Sequence, residues 1–236
     1  MDSFNYLYSL CLWRLDILAN TDKIILDLCG GSGAWSKKYK EAGYIVINVT
    51  LPFYDLLKTE IKGEYIIFQG GSENPLMVRI SDIYGILAAP PCTKFSKACW
   101  RIKKKDRDFK CGMVEVRACL NIIWAIQEKG APLKFWALEN PMGYLNRFLG
   151  HPVYYFQPWW FGEKSFLATK RTYLWGYFNR PVRTIRKRII PFISPYSSKR
   201  DLVNKEKNNK GWLKANAEQR AITPQGFAKA FYEANR

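Results

Sequence analysis

Two prolines and a cysteine, Pro90-Pro91-Cys92, end the uncharged apolar run Gly85-Ile86-Leu87-Ala88-Ala89. A thiolate is a strong nucleophile, and a cysteine becomes reactive where neighbouring positive charge favours loss of its proton. Proline cannot donate a ladder hydrogen bond, so the strand stops there and Cys92 falls where an open α/β sheet presents its ligands. A buried, inert thiol is the plain alternative. A second group is Glu139-Asn140-Pro141, which follows the apolar run Lys134–Leu138 and sets a carboxylate at a strand end; a solvated cap is its plain alternative. A third is Cys29-Gly30-Gly31-Ser32-Gly33 after Lys23–Leu28, where glycines let the backbone come close to a ligand.

These groups need elements to hold them. Lys23–Leu28, Tyr44–Thr50, Tyr65–Phe68, Ile83–Ala89 and Lys134–Leu138 read as strands. A helix is expected from the glycine loop to about Ala42, and a long one over Gly112–Lys129, where Val116, Cys119, Leu120, Ile123 and Ile126 share one side. Phe4–Leu18 and Asp55–Lys62 are further helix candidates. Strand alternating with helix predicts an α/β fold with a mostly parallel sheet and helices on both faces. Val153–Phe156 and Thr172–Gly176 read as antiparallel strands around an irregular Trp159–Gly162. A last helix runs to about Ala234, with Thr223 as N-cap and Pro224 at its first position.

The chain has 236 residues, 37 Lys and Arg against 20 Asp and Glu, and a net charge of +17. That excess predicts a polyanionic partner, nucleic acid before an anionic membrane. It is concentrated in two places. Lys94–Lys110 holds Lys94, Lys97, Arg101, Lys103, Lys104, Lys105, Arg107 and Lys110 against Asp106 and Asp108. Arg180–Arg220 holds twelve Lys and Arg against three Asp and Glu. No apolar run approaches the ~18–20 residues that span a bilayer. The start, Met1-Asp2-Ser3-Phe4, is unlike a signal peptide, so a cytoplasmic location is expected. Six scattered cysteines without a Cys-x-x-Cys pair, and one histidine, His151, argue against a metal site, a disulfide framework and a Ser-His-Asp hydrolase.

In order along the chain, the glycine loop, Pro-Pro-Cys, Glu-Asn and Lys170-Arg171-Thr172-Tyr173 resemble motifs I, IV, VI and VIII of the DNA cytosine-5 methyltransferases. The resemblance implies a Rossmann-like fold that binds S-adenosyl-L-methionine. Asp27, Leu28, Cys29, Gly30, Gly31, Gly33, Ala34, Trp35 and Pro90 would then line the cofactor. Cys92 would be the nucleophile, Glu139 the group that holds and protonates the flipped cytosine, Asn140 the residue that orients the loop, and Arg171 the contact to the cytosine carbonyl. Three departures stand out: Cys29 replaces the usual phenylalanine, Pro141 the usual valine, and Thr223–Asn235 lacks the Gly-Asn of the last motif. The family's large target-recognition domain is also missing; residues 177–221 form a short basic segment beside a catalytic unit of residues 1–176 and 222–236.

DNA contacts are expected from Ser96, Lys97, Arg101, Lys103, Lys104 and Lys105, and from Arg183, Arg186, Lys187 and Arg188. The small segment implies a short target site or a targeting partner protein. The resemblance is to compact phage-like members, which act in a bacterial or phage-infected cell. A catalytically silent DNA-binding protein of the same fold is the alternative. An amino-methylating enzyme is disfavoured, because Ala89-Pro90-Pro91-Cys92 lacks the polar first and aromatic last residues of its loop.

Overall fold

The structure, a computed structural model, describes residues 19–71, 73–96, 103–163, 170–187 and 221–236. The expected helix over Phe4–Leu18, the residues Lys97, Arg101 and Arg188, and most of the second basic stretch lie outside them.

Strand β1 (Ile24–Leu28) is buried on both faces, as a central parallel strand must be. The glycine loop leads into a short helix, α1 (Lys37–Glu41), which stops at Gly43 in a left-handed conformation, φ 88°. The chain returns as β2 (Ile45–Val49), parallel to β1. On the other side of β1 lies β6 (Ile83–Ala88), also parallel. Helix α2 (Phe109–Glu128) crosses to β7 (Phe135–Pro141), parallel to β6. A single turn, α3 (Asn146–Leu149), precedes β8 (Tyr154–Phe156). Strand β9 (Thr172–Tyr177) then inserts antiparallel between β7 and β8. The sheet order β2-β1-β6-β7-β9-β8 gives a mixed, mostly parallel six-stranded sheet of the α/β class.

Helices cover both faces. On one, α2 lays Val116, Cys119, Leu120, Ile123 and Ile126 over Leu26, Ile86 and Leu138. On the other, Tyr39 of α1 and Phe227 and Phe231 of α4 (Gln225–Asn235) pack over Ile25, Leu87, Ala137 and Leu174. Phe227 stacks on Phe156 at 3.7 Å between ring centroids. Each fully buried phenylalanine contributes about 1.5–3 kcal/mol through lost apolar surface, which fastens the last helix to the sheet.

Several expectations are corrected. Tyr65–Phe68 forms a strand, β4, but not in the main sheet. It pairs antiparallel with β3 (Glu60–Lys62) and β5 (Leu76–Arg79) in a separate three-stranded sheet. The tight Gly63-Glu64 turn, with Gly63 at φ 54°, makes that pairing local. Asp55–Lys62 is not a helix: only Leu56–Lys58 forms a 3-10 turn, begun by the Asp55 carboxylate accepting from the Leu57 N–H at 3.0 Å. Helix α2 starts at Phe109, because the Asp108 carboxylate caps the Cys111 N–H at 2.8 Å. Strand β7 runs through Glu139, Asn140 and Pro141, since β9 pairs with all three. Helix α4 starts at Gln225 after Pro224, and Thr223 makes no side-chain cap.

Candidate functional site

From β1 the chain passes through α1 to one side of the sheet, and from β6 through α2 to the other. The carboxyl ends of β1 and β6 therefore flank the point where strand order reverses, the place where open α/β sheets bind ligands. The glycine loop forms one lip of this crevice and Pro90-Pro91-Cys92 the other.

In the glycine loop Cys29, Gly31 and Gly33 all have positive φ (58°, 54° and 68°), a conformation that glycine adopts without steric cost. The Gly33 N–H closes the turn on the Gly30 carbonyl at 2.9 Å, and Asn48 Nδ2 of β2 donates to the Gly31 carbonyl at 3.0 Å. Beneath lies Asp27, fully buried, its Oδ2 accepting from Ser36 Oγ at 2.5 Å. Gly30 sits directly on this carboxylate: a Cβ there would stand 2.4 Å from the Asp27 Cγ. Burial pushes the Asp27 carboxyl up to about 6, against the opposing pull of the Ser36 bond. Asp27 Oδ1 and Asn48 Oδ1, on registered neighbours of β1 and β2, are buried acceptors without a partner among the described residues. Two such atoms beside one loop fit a ligand that brings N–H or O–H donors.

The side chains of other residues expected around the cofactor pack into the core or behind the loop. Leu28 is a core side chain, and Trp35 is buried against Phe227 and Phe231 at 5.9 and 5.3 Å. The Cys29 thiol meets Cys119 of α2; that contact and burial push the Cys119 thiol up. Cys29 thus packs onto the helix behind the loop. Ala34 is partly buried.

The opposite lip is gripped from several directions. Asn140 Nδ2 donates to the Pro90 carbonyl at 3.0 Å in a buried hydrogen bond. The half-buried Cys92 heads a turn in which its carbonyl accepts from Phe95 and Ser96 N–H at 3.0 and 2.7 Å. Ser96 pairs with Gly143 just past β7, and the Tyr144 N–H donates to the Phe95 carbonyl at 2.9 Å. A Cβ at Gly143 would come within 2.2 Å of that carbonyl, so only glycine allows the approach. Arg107, 8% exposed, donates from Nη1 to the Lys94 and Ser96 carbonyls, each at 3.0 Å, with its guanidinium over the Tyr144 ring at 5.2 Å. Arg107 was not among the expected site residues. Its place in a basic run gave no sign that it would be buried. Ser96, expected on the DNA-facing surface, is 4% exposed because its turn is pinned under Gly143. Lys103, Lys104 and Lys105 are exposed.

Glu139 follows the last registered pair of β6 and β7, Ala88 and Leu138, which sets it alongside Ala89. Burial raises its carboxyl, and the charge of Lys170 opposes that rise. Arg171 does not provide that charge. Side chains alternate along a strand, and Glu139 is paired with Leu174, so Lys170 shares its face. Arg171 follows the parity of Tyr173 and lies over Tyr155 at 5.2 Å. Lys170 was missed, although the alternation of Lys170-Arg171-Thr172 could have indicated it.

No family model, curated protein or solved structure matches this chain. Among the described residues, no helix is long and apolar enough to cross a membrane, and no three His, Cys, Asp or Glu side chains gather as a metal site would require.

Proposed function

We propose that this protein methylates carbon 5 of cytosine in DNA, with a Rossmann-like methyltransferase domain that uses S-adenosyl-L-methionine. The observation that carries the reading is the bond from Asn140 Nδ2 to the Pro90 carbonyl. It ties Glu-Asn to Pro-Pro-Cys across fifty positions, at the lip facing the glycine loop. In this reading Glu139, the neighbour of Asn140, and Cys92, two residues after Pro90, act on the same base.

Asp27, Asn48 and the turn from Cys29 to Gly33 would hold the cofactor, whose sulfonium supplies an electrophilic methyl group when bound. The Cys92 thiolate adds to carbon 6 of the flipped cytosine, while Glu139 gives its proton to ring nitrogen 3 and so draws electrons out of the ring. Burial favours the protonated form of Glu139 that this step requires. Carbon 5, now part of an enamine, takes the methyl. The carbon-5 proton leaves to solvent, the carbon–sulfur bond breaks to return the Cys92 thiolate, and the proton on nitrogen 3 returns to Glu139. Extrusion of the base from the duplex costs a few kcal/mol, which the basic surface offsets through phosphate contacts.

A silent DNA-binding protein is the second reading, favoured by the Cys29 thiol packed on Cys119 where the family has its aromatic contact. Incubation with DNA and labelled S-adenosyl-L-methionine, followed by nucleoside mass spectrometry, separates the two. The proposal expects 5-methylcytosine from the wild type and none from Cys92→Ser, and DNA binding without product would replace it by the second reading.

A further inference from the structure

A string of rings and cations runs along β8 and β9 outside the crevice. The Arg171 guanidinium lies over the Tyr155 ring, and Tyr155, 46% exposed, leans on Trp160 at 5.5 Å between centroids. Trp160 and Trp159 meet edge to face and hold Arg183 at 4.7 and 4.5 Å. The two arginines differ in what their N–H groups do. Arg183 spends its own on the Ile185 and Arg186 carbonyls. The Trp160 carbonyl accepts from Thr184 and Ile185 N–H at 3.0 and 2.9 Å. Arg183 is therefore a pin that seats residues 183–187 on the tryptophan pair, leaving Arg180, Arg186 and Lys187 exposed. Arg171 is exposed, and its guanidinium makes no hydrogen bond to any described residue. Its main chain is nonetheless fixed, its carbonyl accepting from the Met142 N–H at 2.9 Å. Between Val153 and Lys187 the only acidic residue is Glu163.

We propose that Arg171, seated on Tyr155, is a phosphate contact of the DNA backbone, and that with Arg180, Arg186 and Lys187 it forms one backbone-binding ridge beside the crevice. The proposal rests on the DNA reading above and assigns Arg171 a partner other than the cytosine carbonyl. A guanidinium held over an aromatic face, as Arg171 is at 5.2 Å from the Tyr155 centroid, keeps N–H donors for a ligand, and the guanidinium fork matches two phosphate oxygens. The ring also orders the long side chain before binding, which reduces the entropy lost on association. The alternation that sets Lys170 on the Glu139 side directs Arg171 away from it.

The test is the salt dependence of binding to fluorescein-labelled duplexes, one containing cytosine and one made only of A·T pairs. Arg171→Gln should weaken both equally and reduce the slope of log K against log salt by about 0.9, one phosphate's worth. Tyr155→Phe should leave the slope unchanged, whereas Tyr155→Leu should weaken binding with the slope retained. An unchanged slope in Arg171→Gln, or a loss confined to the cytosine duplex, overturns the proposal and leaves the DNA reading intact. A wild type that shows no salt-dependent DNA binding, or that binds only anionic phosphatidylserine vesicles, overturns both.

Discussion

The most informative perturbation is Asp27→Asn, because it isolates a titratable group that the fold buries beneath the glycine loop. In the native chain the carboxyl is raised from its ordinary 3.8 to about 6. Below pH 3.8 it is protonated in both the folded and the unfolded chain and contributes no pH dependence. As pH rises toward 6, the unfolded chain ionises freely while the folded chain holds its proton. The folded state then binds more protons, so stability falls with rising pH across this window and levels off above it. At about 1.4 kcal/mol per pH unit, the interval from 3.8 to about 6 amounts to about 3 kcal/mol. In Asp27→Asn this cost is absent at every pH. The amide's own cost, a buried N–H without a partner, is constant with pH. Chemical denaturation of both proteins from pH 4, where the unfolded carboxyl is already partly ionised, to pH 8 should therefore show the variant gaining on the wild type by about 2.5 kcal/mol. In melting temperature that is on the order of 6 °C or more for a chain of this size. A ligand donor meeting Oδ1 would pull the carboxyl down again, so saturating S-adenosyl-L-methionine should flatten the wild-type curve. Parallel stability curves for the two proteins would refute the claim that Asp27 stores this electrostatic cost.

Asn140→Ala leaves the Pro90 carbonyl buried without its donor, a loss of about 1–3 kcal/mol. It also loosens the Cys92 lip, so methyl transfer should fall on the order of 100-fold with duplex affinity retained, as single-turnover kinetics and anisotropy would show. Arg107→Lys keeps the charge but cannot span the Lys94 and Ser96 carbonyls while lying on Tyr144; it should lower turnover far more than it lowers DNA affinity, and equal losses in both would contradict a role for Arg107 in holding the Cys92 turn. Glu139→Gln should keep the fold, since it removes a carboxyl that burial disfavours when charged, yet abolish trapping of a covalent adduct on 5-fluorocytosine DNA. Phe227→Ala empties a site between Phe156, Phe161 and Phe231 and should destabilise the protein by about 3–5 kcal/mol by denaturant titration.

Local signals carried much of this protein. Uncharged runs such as Ile83–Ala88 cannot be left in water, and the glycines and prolines that end them have backbone preferences independent of context, so the strands of the parallel core and the lips of the crevice could be read directly. The period of Val116, Cys119, Leu120, Ile123 and Ile126 likewise marks the buried side of α2. Signals of that kind end where pairing depends on distant chain. Tyr65–Phe68 looks like any other apolar strand, and only its partners put it in a second sheet. Glu139 to Pro141 read as a strand terminus until β9 paired with them. Side-chain direction at the site was decided the same way. Register set Lys170 toward Glu139 and Arg171 toward Tyr155, and close packing buried Arg107 and Ser96 within a run whose composition alone indicated solvent. Residue chemistry thus determined which groups could react. Tertiary register determined which of them meet, because a strand's alternation turns a shift of one position into the opposite face of the sheet.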